Sequence, residues 1–166
     1  MTAAATASQE SLKQHLNVTG GLQLNGTFRV SGAKNSALVL MTASLLTEDC
    51  VELVNIPNLT DICSMSEILE SLGVQVTRDS DRISLTASNL NGSNPPYELV
   101  NSLRASFFSI GPLLGRLGQA KVPLPGGCRI GARPGVEHIR GLKSLGAVVS
   151  VEHGIVNASL PGTRKR

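Results

Sequence analysis

The segment Glu70-Ser71-Leu72-Gly73-Val74 returns as Lys143-Ser144-Leu145-Gly146-Ala147, 73 residues further on and at the same place within its surroundings. A repeat at fixed period constrains a chain strongly, because each copy has to form the same supersecondary unit and bury its apolar face against its neighbour. Around the first copy, NSALVLMTASLLTEDC is apolar at helical spacing, and VELVNIP reads as a strand stopped by Pro57. TDICSMSEILESLG then predicts a helix with Ile62, Met65, Ile68, Leu69 and Leu72 on one face, Thr60 or Asp61 capping its start and Gly73 ending it. VQVTRDSDRISLTA predicts a hairpin turned at Asp79-Ser80-Asp81. Around the second copy the order recurs. RASFFSIGPLLGRLG predicts a helix, AKVPL a strand, RPGVEHIRGLKSLG a helix with Pro134 in its first turn, and AVVSVEHGIVNASL a hairpin turned near His153-Gly154. Ahead of both copies, LNVTGGLQLNGTFRVSG alternates around Gly-Gly and Asn-Gly and predicts short strands joined by tight turns. Two units of helix, strand, helix and hairpin make one α/β domain. The chain stops where the helix of a third unit would begin, so the expectation is a piece of something longer.

Composition agrees with one core and excludes several functions. With 166 residues, 41% of them hydrophobic but only 2% aromatic, the core has to come from Leu, Ile, Val and Ala. The net charge of +3 is spread along the chain and forms no patch that would hold a nucleic-acid backbone. The terminal run Arg164-Lys165-Arg166 reads as a solvated tail. Cys50, Cys63 and Cys128 lack the spacing of a zinc site or a disulfide framework, which suits a reducing, cytoplasmic setting. Residues 1–15 lack the basic start and apolar centre of a signal peptide and read as a flexible leader, and no apolar stretch is long enough to span a bilayer. The domain is therefore expected to occupy residues 16–166, with no metal and no cofactor.

Three features carry chemistry. Lys34 in SGAKNSAL and Arg104 in LRASFF each open the first helix of a unit, where free amides and a partial positive charge favour an anion. The alternative for each is a solvated end charge, and the repetition brings the two readings level. Gly32 before Lys34, with Asn35 after it, allows backbone to approach a ligand. Cys50 and Cys63 are expected as small buried hydrophobes. Cys128 instead follows Gly126-Gly127 on a loop, with Arg129 and Arg133 to favour thiolate, and its chemistry stays open between a reactive and an idle thiol. His138 is the histidine nearest to it in sequence, so a Cys/His hydrolase is a weak further option.

SGAKNSAL, LRAS followed by GPLLGRLG, and above all PGGCRIGARP resemble the UDP-N-acetylglucosamine 1-carboxyvinyltransferase family of enolpyruvyl transferases, from Leu16 to Gly162. The resemblance implies an inside-out α/β barrel built from repeated βαβαββ units, incomplete in this chain, with a second domain absent. It implies transfer of the enolpyruvyl group of phosphoenolpyruvate to the 3'-hydroxyl of UDP-N-acetylglucosamine, the first committed step of peptidoglycan synthesis. By the same resemblance Cys128 gives a proton to C3 and is the thiol that phosphoenolpyruvate or fosfomycin can occupy. Lys34 and Asn35 would contact phosphoenolpyruvate, and Arg104 and Arg133 the anionic groups of the substrates. The segment Pro134, Gly135, Val136 and Glu137 would touch UDP-N-acetylglucosamine, although its acidic residue falls one place later than in the family pattern ARP-VDLH. The remaining catalytic acid and further arginines would lie in the missing segments. A non-catalytic binding module of the same fold is the rival reading.

Overall fold

Helix α1 (Lys34–Ala43) buries Ala37, Leu38, Met41 and Thr42 along one stripe, and its apolar period is what makes it a helix. The structure, a computed structural model, describes residues 17–21, 23–124 and 135–162. A short 3-10 turn (Ser44–Leu46) leads into strand β1 (Cys50–Leu53). Helix α2 (Thr60–Ser71) follows and buries Ile62, Met65, Ile68 and Leu69, with Leu72 buried just past its end. Strands β2 (Gln75–Asp79) and β3 (Arg82–Thr86) form the expected hairpin, with Ser80 in the left-handed region at φ 53°. The second unit holds a short helix α3 (Tyr97–Ser102), a 3-10 segment (Arg104–Ser109), α4 (Ile110–Leu117) and β4 (Gln119–Pro123). It ends with α5 (Val136–Ser144), β5 (Val148–Glu152) and β6 (Ile155–Ser159).

The repeat is visible in the backbone. Both sheets are antiparallel and three-stranded, in the orders β1-β3-β2 and β4-β6-β5. After α2, the Gly73 amide donates to the Glu70 carbonyl and the Val74 amide to that of Leu69, at 2.9 and 3.1 Å; after α5, Gly146 donates to Lys143 and Ala147 to Leu142, both at 3.0 Å. This paired closure of the last turn needs a left-handed residue, which glycine adopts without a Cβ clash, and Gly73 and Gly146 sit at φ 94° and 92°. Ile83 and Leu85 on β3, like Val156 and Ala158 on β6, point into one continuous core shared by both units.

Three expectations fail here. The stretch before α1 forms no strand among residues 17–21 and 23–33. No sheet edge pairs with it, and Leu24 and Phe28 are 94% and 85% exposed, so alternation alone gives it no ladder to join. Among the described residues the first unit is accordingly seen as helix, strand, helix and hairpin. Neither Thr60 nor Asp61 caps α2, whose N-cap is Leu59 with no side-chain cap bond. The single helix expected over RASFFSIGPLLGRLG begins instead as a 3-10 segment, because Ser106 Oγ donates to the Leu103 carbonyl and Ser109 Oγ to that of Ser106, tightening the turn. The leader, Pro134 and the basic tail lie outside the described residues.

The two repeats are unequally buried. Among described residues α5 buries none fully, and Leu145 just after it is 85% exposed, whereas α2 buries four. An Ile68→Ala variant should therefore lose about 2–5 kcal/mol of stability, while Ile139→Ala on α5 should lose about 1 kcal/mol or less. The urea midpoints of the two variants, at unchanged slope, check the difference.

Candidate functional site

The start of α1 is fixed by a contact that leaves no room for a side chain. A Cβ on Gly32 would stand 1.9 Å from the Asn55 carbonyl oxygen, so the chain can pass there only as glycine. Asn55 is itself left-handed at φ 59°, a conformation asparagine tolerates, and the following Ile56 amide donates to the Asp81 carbonyl at 2.8 Å. Two residues after Gly32, the Lys34 ammonium donates to Asp61 Oδ2 at 2.5 Å, joining the first turns of α1 and α2. The N-cap of α1 is Ala33, which supplies no side-chain bond to the first amides. Asn35 is exposed beside them. This end of α1 thus combines an ordered cation with uncapped amides, the elements that favour an anion.

The second repeat contributes a different structure. Arg104 is exposed at the head of the 3-10 segment, which packs against α1 and carries Phe107 three residues on. A Cβ at Gly135 would lie 3.4 Å from Leu124 Cδ2 and 3.5 Å from Phe107 Cε1. Leu124 and Gly135 thus come together beside one phenylalanine ring. Cys128, Arg133 and Pro134 fall between them in sequence and lie outside the described residues. Val136 is 57% exposed, and Glu137 pairs with Arg140 one turn on at 2.6 Å. His138 lies with its ring centroid 5.6 Å from that of Phe107 and 5.8 Å from that of Phe108, a packing role for that histidine.

Two sequence readings change. Cys50 and Cys63 are exposed rather than buried. Cys50 opens an edge strand whose inward positions are Val51 and Leu53, and Cys63 falls between the buried Ile62 and Met65, on the outer side of α2, with its sulfur 3.7 Å from Arg78 Nη1. Asp61, read from sequence as a cap, is the partner of Lys34. Its partner is 27 residues away, so no local pattern announces it. A hollow of about 680 Å³ lies elsewhere, between Leu90–Ser93 and Gly115–Gln119. Arg116 lines it while bonding to carbonyls beyond the far end of α1, about a helix length (roughly 15 Å) from Lys34. The chemistry-bearing residues are not in that hollow. Among the described residues no His, Cys, Asp and Glu group is arranged to hold a metal ion, and no helix is long and apolar enough to cross a membrane.

Comparison with known proteins bears on these positions. The sequence profile of the family described as EPSP synthase (3-phosphoshikimate 1-carboxyvinyltransferase) matches residues 18–166. A UDP-N-acetylglucosamine 1-carboxyvinyltransferase of Synechococcus sp. (strain CC9605) is 79% identical over all 166 residues, and one of Parasynechococcus marenigrum (strain WH8102) is 68% identical over the same length. The chain spans 38% of the length of each of these relatives. Among solved structures, the enolpyruvyl transferase NikO from Streptomyces tendae superposes on 86% of the chain, and on 31% of its own, with a TM-score of 0.69 at 22% identity. An EPSP synthase from Acinetobacter baumannii superposes on 82% of the chain, and on 32% of its own, with a TM-score of 0.58 at 14% identity. At these identities the two structures speak for the fold.

The tight passage at Gly32 gives a direct test of how the amine is held. Gly32→Ala should cost about 1–3 kcal/mol, since neither the new Cβ nor the Asn55 backbone can move freely. It should also change hydrogen exchange in the first turns of α1 and α2 while leaving the β4-β6-β5 sheet as it was. Exchange followed by mass spectrometry resolves both regions.

Proposed function

The chain belongs to the EPSP synthase family of enolpyruvyl transferases, and from that premise we propose that it forms the first part of a UDP-N-acetylglucosamine 1-carboxyvinyltransferase. The observation that carries this reading is the 79% identity, through every residue of the chain, to a protein of that name. The PGGC loop and the SGAKNSAL start of α1 add to it. In the proposed reaction the sugar 3'-oxygen attacks C2 of phosphoenolpyruvate while C3 gains a proton. The tetrahedral adduct then loses that gain at C3 together with phosphate, leaving the enol ether. No electrons are exchanged with a redox partner, so the sequence of steps calls for no cofactor.

Each residue has a distinct task in this scheme. Cys128 gives the proton to C3, a role suited to a thiol, and its sulfur is the group fosfomycin would alkylate. Lys34 and Asn35 hold the phosphate of phosphoenolpyruvate at the start of α1, where the helix amides add to the field. Arg104 and Arg133 grip anionic oxygens through paired donors. Pro134, Gly135, Val136 and Glu137 meet the nucleotide sugar. The site would face the cytoplasm, where both substrates are made, and a second domain would close over it to exclude water and complete the charges.

The test is a chimera of residues 1–162 joined to the corresponding remainder of the Synechococcus relative, assayed for phosphate release. Phosphoenolpyruvate with UDP-N-acetylglucosamine should give turnover, and shikimate 3-phosphate in place of the sugar nucleotide should give none. Cys128→Ala should lower the rate by about a hundredfold or more. A Cys128→Ala rate equal to that of the parent, or a preference for shikimate 3-phosphate, would remove the reading. The 166-residue chain by itself is expected to release no phosphate above its own Cys128→Ala control.

A further inference from the structure

We propose that Asp61 is a positioning residue that presents the Lys34 ammonium to an incoming anion, an inference that rests on reading Lys34 as a phosphate contact. The geometry is specific. Asp61 stands in the first turn of α2, where a carboxylate ordinarily serves its own helix, yet α2 has no side-chain cap and Asp61 Oδ2 instead accepts from Lys34 at 2.5 Å. The two side chains are 41% and 37% exposed, so the pair faces solvent and contributes little to folding. An ammonium has three donors. One is taken by Asp61, and among the described residues the others have no acceptor, which leaves them for a ligand at the start of α1.

The opposite reading is that Asp61 competes with the anion for the amine. Fixing a lysine side chain in advance is worth about tenfold in affinity, whereas repulsion from a carboxylate roughly 6 Å away in water costs about threefold. Presentation outweighs competition by about threefold on these figures. The second repeat has no counterpart, because the position 73 residues after Asp61 is Pro134. Nor is the backbone free to compensate, since the passage of Gly32 against Asn55 fixes where the lysine stem begins.

Peptide-resolved acylation of the lysines tests this in the 166-residue chain at low concentration. Lys34 should react more slowly than the exposed Lys121 and Lys143. It should react several-fold faster in Asp61→Asn and be slowed again in Asp61→Glu, with the melting temperature of each variant measured alongside. Phosphoenolpyruvate should protect Lys34 but not Lys121, and the half-protecting concentration should rise about threefold in Asp61→Asn. A wild-type Lys34 as reactive as Lys121 overturns the proposal, and so does protection of Asp61→Asn at an equal or lower concentration. If Lys34 is slow but phosphoenolpyruvate never protects it, the phosphate reading of Lys34 fails and the substrate role of Asp61 fails with it.

Discussion

Arg116 joins one repeat to the other. From α4 its guanidinium donates to the carbonyls of Leu45 and Thr47 at 3.0 and 2.8 Å, and it meets Glu48 at 3.4 Å with only 14% of its side chain exposed. Carbonyls beyond the end of a helix have no partner within it, and leaving them dry and unbonded is costly. Nη1 bonds both carbonyls while Nη2 of the same rigid plane meets the carboxylate. Apolar contact brings α1 and the second repeat together. Arg116 decides at which level they meet. With its far end fixed in this way and its near end held at Gly32 and Asp61, α1 stands as a rod between the two units, and Lys34 projects from the end that carries no cap.

The duplication holds in the backbone of the closing turns and the sheets and is broken in chemistry. The closing turns after α2 and α5 match in hydrogen bonds and in φ, and the hairpin residues Ser80 and His153 share a left-handed conformation at φ 53° and 50°. Such features depend on local geometry and survive wherever a glycine or a tolerant residue is kept. Burial does not survive in the same way, since α2 is sunk in the core while α5 rides on it. At positions 73 apart in sequence the first copy has Thr60 and Asp61, and the second has Arg133 and Pro134, which lie outside the described residues. A fold that repeats supplies two scaffolds, and the residue types at matching positions make them different.

Legibility in the sequence followed the range of the interaction. The stripe Ile62, Met65, Ile68, Leu69 and the two hairpins were readable because period and turn chemistry are local. The stretch before α1 was misread because alternation predicts a strand only where an edge is present to pair with it, and the edge is a tertiary fact. The exposure of Cys50 and Cys63 was missed because residue type was weighed above phase: each lies one position off its buried stripe. Short α3 and the serine-tightened segment after it fell below the length at which a period can be counted. In the candidate site, Lys34 and Arg104 are singled out by the sequence from their expected places at helix starts. The pairing of Asp61 with Lys34 shows only in three dimensions, and the role of Cys128 rests on motif alone.

Where the positive charge of the candidate site comes from is a question of placement rather than amount. The chain has 15 basic and 12 acidic residues, and a net charge of +3 over 166 residues makes no strong field by itself. Arg82 pairs with Glu52 across neighbouring strands, Arg140 with Glu137 on one helix turn, and Arg116 with Glu48 beside the carbonyls it caps. Only the pair of Arg140 with Glu137 is local; the other two join segments far apart in sequence. Lys34 differs in that its partner comes from another helix and both side chains stand at helix starts, where the amides of two first turns add partial positive charge to the ammonium. The carboxylate cancels the formal charge of the amine but not those dipoles. An anion arriving at this point would meet oriented N–H groups whose cost of ordering was met during folding, which is how a nearly neutral surface can still favour negative charge.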